Sequence, residues 1–171
     1  MIPTRKICII GDFGVGKTST VARFVHNVFS EKYLTTVGVK IDTKTMKAGD
    51  AGGDLKLVIW DIAGADRFSA VEFSYLRGAA GYLLVADGTR RNTVDIARRL
   101  CAEAEQRFGA LPFVLIINKT DLTEQWEVPD GTVDELRSSG MDVFLTSAKT
   151  GDEVETALQA LANKLLESSG P

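Results

Sequence analysis

Eight consecutive residues, Gly11-Asp12-Phe13-Gly14-Val15-Gly16-Lys17-Thr18, fit the pattern G-x-x-x-x-G-K-[ST]. Glycines let a backbone wrap close to phosphate oxygens, and the N–H groups so exposed combine with a helix N-terminus into an anion cradle. Lys17 then neutralises β- and γ-phosphate charge, the Thr18 hydroxyl ligates Mg²⁺, and Ser19 follows on the helix. A merely glycine-rich turn is the bland alternative. Against it, the apolar run Lys6–Ile10 precedes the loop and a helical pattern follows, which is the strand-loop-helix context that phosphate binding requires. The loop alone does not choose a nucleotide, because ATPases and small-molecule kinases carry it too.

A second group of residues can read a base. Asn118-Lys119-Thr120-Asp121 directly follows the apolar run Phe113–Ile117, at the carboxyl edge where open α/β sheets bind ligands. The Asp121 carboxylate can accept hydrogen bonds from the N1–H and 2-amino group of guanine. Adenine lacks that donor pair, and a buried carboxylate left unpaired costs at least the ~1–3 kcal/mol of an unsatisfied polar group. Thr146-Ser147-Ala148-Lys149 follows another strand-like run, so that the Ala148 N–H can meet guanine O6 while Lys149 lies against the base. Either motif alone is weak evidence; both, in order behind a phosphate loop, are strong.

The elements that must position these residues have an alternating rhythm. Short apolar runs at Lys6–Ile10, Leu55–Trp60, Tyr82–Ala86, Phe113–Ile117 and Val143–Thr146 are separated by helical patterns at Thr18–Phe29, Thr93–Phe108 and Asp152–Leu166. Such crossover units build a mainly parallel sheet covered on both faces, whose buried strands are near-continuously apolar, as YLLVA and FVLII are. Val39, Ile41, Thr43 and Thr45 alternate with Lys40, Asp42 and Lys44, which predicts a strand with one wet face; the turn-rich stretch 49–54 then leads into an antiparallel hairpin. Asp152 and Glu155 have capping-box spacing. The stretch 123–131 is the most irregular, with Trp126 as a packed loop anchor, and His26 is a surface or packing residue.

Composition sets the outer bounds. At 171 residues and 44% hydrophobic content the chain can bury one substantial core, so a single domain over 1–171 is expected. A net charge of −3 argues against nonspecific binding to nucleic acid or an anionic membrane. Cys8 and Cys101 make no disulfide framework, which fits core fillers in a reducing, cytoplasmic compartment. No run reaches the length of a membrane span, and the terminal Ser168-Ser169-Gly170-Pro171 offers no lipidation site. Peripheral membrane association would then need a lipidated tail outside these residues.

With these motifs in order, nearly the whole chain resembles the Ras-like small GTPases, especially the Rab branch. The resemblance implies a three-layer P-loop NTPase fold: a mostly parallel six-stranded sheet with one antiparallel edge hairpin and helices on both faces. It also implies GTP/GDP and Mg²⁺ as ligands. Thr36 matches the threonine that meets Mg²⁺ and γ-phosphate only in the triphosphate state; Thr35 is its rival, and the following Val37-Gly38 favours Thr36. Phe29 matches an aromatic packed edge-on against guanine, with helix-end core packing as the other reading. Trp60-Asp61-Ile62-Ala63-Gly64 is similar to W-D-T-A-G, in which the aspartate holds Mg²⁺ through water and the glycine N–H touches γ-phosphate. Losing that phosphate would release both switch segments. Effectors are implied at switch I and switch II, with an exchange factor and an activating protein as further partners of a monomer. Trp60 and Tyr75 match two effector-facing aromatics, Ile41 replaces the third, and core packing is an equal reading for Trp60.

Two departures bear on catalysis, which the resemblance assigns to Lys17, Thr36, Gly64 and the residue at position 65. The glutamine that orients attacking water is replaced by Ala65, followed by Asp66; a methyl group cannot position water. Phe13 stands where a small residue is usual and should crowd the approach of an arginine finger. These predict slow hydrolysis, unless Asp66, Glu72 or a partner supplies the missing function. A non-hydrolysing, GTP-bound interaction module is the alternative. A P-loop kinase is disfavoured, because NKTD and SAK match a guanine pocket and no acceptor domain is evident.

Overall fold

The computed structural model describes residues 1–31, 38–63 and 70–168. Six strands, β1 (Thr4–Gly11), β2 (Val39–Ala48), β3 (Gly53–Ile62), β4 (Gly81–Asp87), β5 (Phe113–Asn118) and β6 (Val143–Leu145), form one sheet in the order β2-β3-β1-β4-β5-β6. Only the β2–β3 hairpin is antiparallel; the other neighbours are parallel. Helices α1 (Lys17–His26), α2 (Ala70–Ser74), α3 (Asn92–Phe108), α4 (Thr132–Ser138) and α5 (Val154–Ser168) accompany it, with a 3-10 turn at Thr123–Gln125.

Successive strand residues point to opposite faces, so a strand covered on both sides must be apolar at every position. Ile7, Ile9, Leu83, Val85, Val114 and Ile116 pack on one face against α1 and α5. Cys8, Ile10, Leu84, Ala86, Leu115 and Ile117 pack on the other against α2, α3 and α4. The sequence expectation of a two-faced, mainly parallel sheet with one edge hairpin is met. Cys8 and Cys101 are both buried free thiols in the second layer.

Several boundaries differ. The first helix ends at His26 rather than Phe29, because Asn27 turns left-handed (φ 55°), so that its N–H donates to the Arg23 carbonyl and the Val28 N–H to the Ala22 carbonyl. The last helix begins at Val154, after Glu153 at φ 59°, so Asp152 stands one residue too early to cap it. Asp152 instead closes the preceding loop, its carbonyl accepting from Ser147 N–H at 3.0 Å. Strand β2 has one wet face, but it is the one carrying Ile41, Thr43 and Thr45; Asp42, Lys44 and Met46 are half-buried. Lys44 manages this by laying its ammonium 4.4 Å from the Phe24 ring centre and donating to the Phe24 carbonyl at 2.6 Å. The irregular stretch after β5 is anchored by Trp126, as expected: a Cβ built on Gly88 would lie 1.9 Å from its ring, so only glycine lets the indole close on β4's end. His26 is on the surface, 3.5 Å from Asp42.

Candidate nucleotide site

All the described motif residues gather at the carboxyl edge of the parallel strands, where β1, β3, β4 and β5 end. The phosphate loop links β1 to α1 with Gly14 at φ 73° and Gly16 at φ 104°. Gly16 has a second reason to be glycine: an added Cβ would lie 2.2 Å from Asn118 Nδ2. Val15 is buried in the core, and its carbonyl accepts from that same Asn118 nitrogen at 3.1 Å. The two motifs, far apart in sequence, are therefore in direct contact. Ser19 sits half-buried on α1's first turn.

Lys17, the first helical residue, is buried and folds back over the loop, donating to the carbonyls of Gly11 (3.1 Å) and Asp12 (2.8 Å). Burial pulls its pKa down to about 8, against the opposing pull of Asp61 and Asp12. Three hydrogens on the ammonium leave donor capacity for an anion in the cradle.

Thr18 donates its hydroxyl to Asp61 Oδ2 at 2.5 Å. Asp61 is fully buried at the end of β3, and burial raises its pKa although the Thr18 bond and Lys17 oppose this. Its other oxygen, Oδ1, is buried with no hydrogen-bond partner among the described residues. An orphaned carboxylate oxygen beside a threonine hydroxyl is a hard, oxygen-only donor pair, and it fits Mg²⁺. Thr36, Gly64 and Ala65, with Thr35, Asp66 and the rest of those two segments, lie outside the described residues.

On the base side, Asn118 brackets two loops. Its Nδ2 bonds the phosphate loop, while its Oδ1 accepts from Ala148 N–H at 3.0 Å and, more weakly, from Thr146 Oγ1 at 3.5 Å. Asp121 accepts from Ser147 Oγ at 2.8 Å, which fixes the carboxylate while leaving lone pairs for two donors. Ser147 is fully buried and Ala148 nearly so. Lys149 is exposed and paired with Glu31 at 3.1 Å; Phe29, past the end of α1, is half-buried.

Lys119 has a left-handed backbone (φ 79°), rare for a non-glycine residue, and donates to Gly14 O at 3.1 Å and Asp87 Oδ2 at 2.8 Å. That carboxylate is a hub that reading the sequence passed over. Asp87 ends β4 at 1% exposure and also accepts from Thr89 N–H and hydroxyl and from Arg90 Nε at 3.2 Å. Burial pushes its pKa up, but the bonds from Lys119 and Thr89 prevail and hold it below the usual carboxylate range. Arg90 in turn donates to Phe13 O at 2.6 Å and pairs with Asp12 at 3.6 Å. Phe13's side chain is 47% exposed at the loop's rim. A charge closing the otherwise apolar YLLVA run was the available signal for Asp87.

The candidate effector face also assembles. Trp60 and Tyr75 lie with ring centres 6.0 Å apart, Lys6 Nζ sits 3.9 Å over the indole, and exposed Ile41 is Trp60's cross-strand partner. Trp60 and Tyr75 are partly buried against the second core layer, so packing and presentation coexist. No helix among the described residues is long and apolar enough to cross a membrane.

Comparison with known proteins gives one consistent answer. The model of the Ras family matches residues 6–167. The chain is similar to "Ras-related protein Rab-25" of Mus musculus, at 37% identity over 162 residues, covering 94% of this chain and 75% of that protein. The Bos taurus and Homo sapiens proteins of that name are 36% identical over the same shares.

Proposed function

Since this chain belongs to the Ras family of small GTPases, on its Rab branch, and is thus a GTP-binding molecular switch of trafficking or signalling, we propose that it turns over GTP slowly and dwells in its GTP form. The observation that carries the binding half of this reading is the buried Asp61 Oδ1, without a partner among the described residues, beside the Thr18 hydroxyl and next to a cradle closed by Lys17. Mg²⁺, when bound, supplies Lewis-acid charge at the β- and γ-phosphates.

The chain's own residues set the rest. Lys17 and the loop N–H groups bind and orient the phosphates, and the Lys17 charge meets negative charge developing on the transferred group. Asp121 and Ala148 N–H select guanine, with Lys149 and Phe29 against the base. Thr36 and Gly64 are the family positions that sense γ-phosphate. Hydrolysis also needs a water held in line, and Ala65 has no group with which to hold it. Phe13, half-exposed at the rim with its carbonyl pinned by Arg90, obstructs a residue offered in trans. Effectors dock on the surface of Ile41, Trp60 and Tyr75, where an aliphatic residue in the first place selects partners unlike those of an all-aromatic surface.

Single-turnover hydrolysis tests the slow-turnover reading. Ala65→Gln with Phe13→Gly should raise the rate ~10-fold or more, because a positioned group typically contributes ~10²–10⁴-fold. An unchanged rate would falsify it. Chromatography of nucleotide extracted from the purified protein should show guanine nucleotide with GTP persisting; adenine nucleotide in that extract would overturn the pocket assignment itself.

A further inference from the structure

Arg23 lies under two turns from Lys17 on α1, and its half-buried side chain reaches the loop that carries Ala148. Nε donates to Ala148 O at 2.9 Å and Nη2 donates to Lys149 O. Nη1 donates to Asn27 Oδ1 at 3.0 Å, and more weakly to Asn27 O at 3.4 Å. The stem follows the same loop onward: a Cβ built on Gly151 would sit 3.5 Å from Arg23 Cδ.

These bonds complete the loop that carries Ala148. Ser147 N–H and Gly151 N–H are satisfied within it, Ser147 Oγ accepts from Thr150 N–H, and Ala148 N–H donates to Asn118 Oδ1. The consecutive carbonyls of Ala148 and Lys149 find their donors outside, on one planar fork. The two peptides that flank the Ala148 Cα are thereby both held, the preceding one by Asn118 at the Ala148 N–H and the following one by Arg23 at the Ala148 carbonyl.

We propose that Arg23 is a positioning residue for guanine recognition: by gripping the Ala148 and Lys149 carbonyls it fixes the loop backbone so that the Ala148 N–H, which donates to Asn118 Oδ1 in the free protein, can be shared with the base O6. The inference rests on the guanine pocket proposed above and names the group that sets its geometry. Because α1 starts at the phosphate loop, the same side chain fixes the spacing between the two ends of the ligand site. Guanidinium suits this task through its rigid fork of donors, where an ammonium is a single point charge on a flexible stem. Removing it takes the Arg23 donors from two carbonyls and loosens the loop that carries the Ala148 N–H, leaving Asn118 as its remaining side-chain hold.

The test is equilibrium binding of GDP, IDP and 2-aminopurine riboside diphosphate to the full chain and to Arg23→Ala and Arg23→Lys. GDP and IDP keep O6, whereas the 2-aminopurine nucleotide lacks it. Arg23→Ala should weaken GDP and IDP alike by ~10-fold or more and the O6-less ligand by less than ~2-fold, with Arg23→Lys between. An equal loss for all three would mean a merely structural role and overturn the proposal, as would no loss at all. If Arg23→Ala does not fold, the same pattern read on Arg23→Lys decides. Wild-type protein that binds GDP no better than the 2-aminopurine nucleotide rejects the guanine pocket and this inference together, an outcome distinct from a failure confined to the variants.

Discussion

The two ends of the ligand site are built in different ways. The phosphate end is one continuous segment, residues 11–18, where a strand hands over to a helix and backbone N–H groups line the cradle. The base end joins loops whose bracketing residues, Asn118 and Thr146, stand 28 positions apart and meet only because β5 and β6 are neighbours. The contiguous cradle takes its shape from its own glycines, and Asn118, Lys119 and Arg90 tether its carbonyls from outside. Two separate loops need side chains that reach across, here Asn118, Ser147 and Arg23. On the proposed function, local construction leaves the phosphate end general for any nucleotide, and long-range construction gives the base end its selectivity.

The largest break in this contrast comes from Asp121→Asn. Exchanging an acceptor for an amide donor removes the partner of guanine's N–H groups and offers a donor to a base with a 2-oxo group. GDP affinity should fall by ~10²–10⁴-fold while the xanthosine diphosphate analogue gains, because buried polar mismatches carry discriminations of that order. Equal binding of both nucleotides by the variant would show that the base end is not the selector.

A smaller effect belongs to the phosphate end. With Lys17 near 8 in the free protein, its charge is lost as pH rises through that value, whereas the unfolded chain keeps it to about 10.5. The free fold therefore gains stability with pH across that window, and GDP affinity falls by up to ~10-fold per pH unit, since phosphate binding restores the proton. Calorimetry in buffers of differing ionisation heat should show no proton uptake at pH 7 and nearly one at pH 9. Buffer-independent heats at pH 9 would rule this out.

The smallest expected effect sharpens the comparison most. Arg90→Ala removes the bond to Phe13 O and the bridge to Asp12 and Asp87 but leaves Lys119 on Gly14 O. GDP should dissociate ~3–10-fold faster while the GDP-to-IDP preference stays put, because with part of the tether remaining the loss is the ~0.5–1.5 kcal/mol of a net hydrogen bond. A changed base preference would mean that the two ends are not separable.

Much of this molecule could be read directly from the chain. The strand-loop-helix context of residues 11–18, the placement of the loops after β5 and β6, both cysteines as core residues and the doubly covered sheet all follow from local pattern, because strand burial and loop chemistry leave period and composition signals. Asp87, Arg90 and Arg23 could not be read that way. Each is an ordinary charged residue whose role depends on a partner 32 or more positions distant in sequence. Strand β2 shows the same limit from the other side: its alternation was visible, but which face was wet depended on Phe24 lying where Lys44 could cap it.

By itself, then, the sequence determined which groups are proposed to meet phosphate and guanine, since that chemistry is carried by residue type and short spacing. Tertiary structure alone decided what holds them still: which carbonyl each cation grips, which carboxylate oxygen is left buried without a partner, and how the two loops register. Those contacts arise from the order of strands in the sheet, and no local run of residues encodes that order.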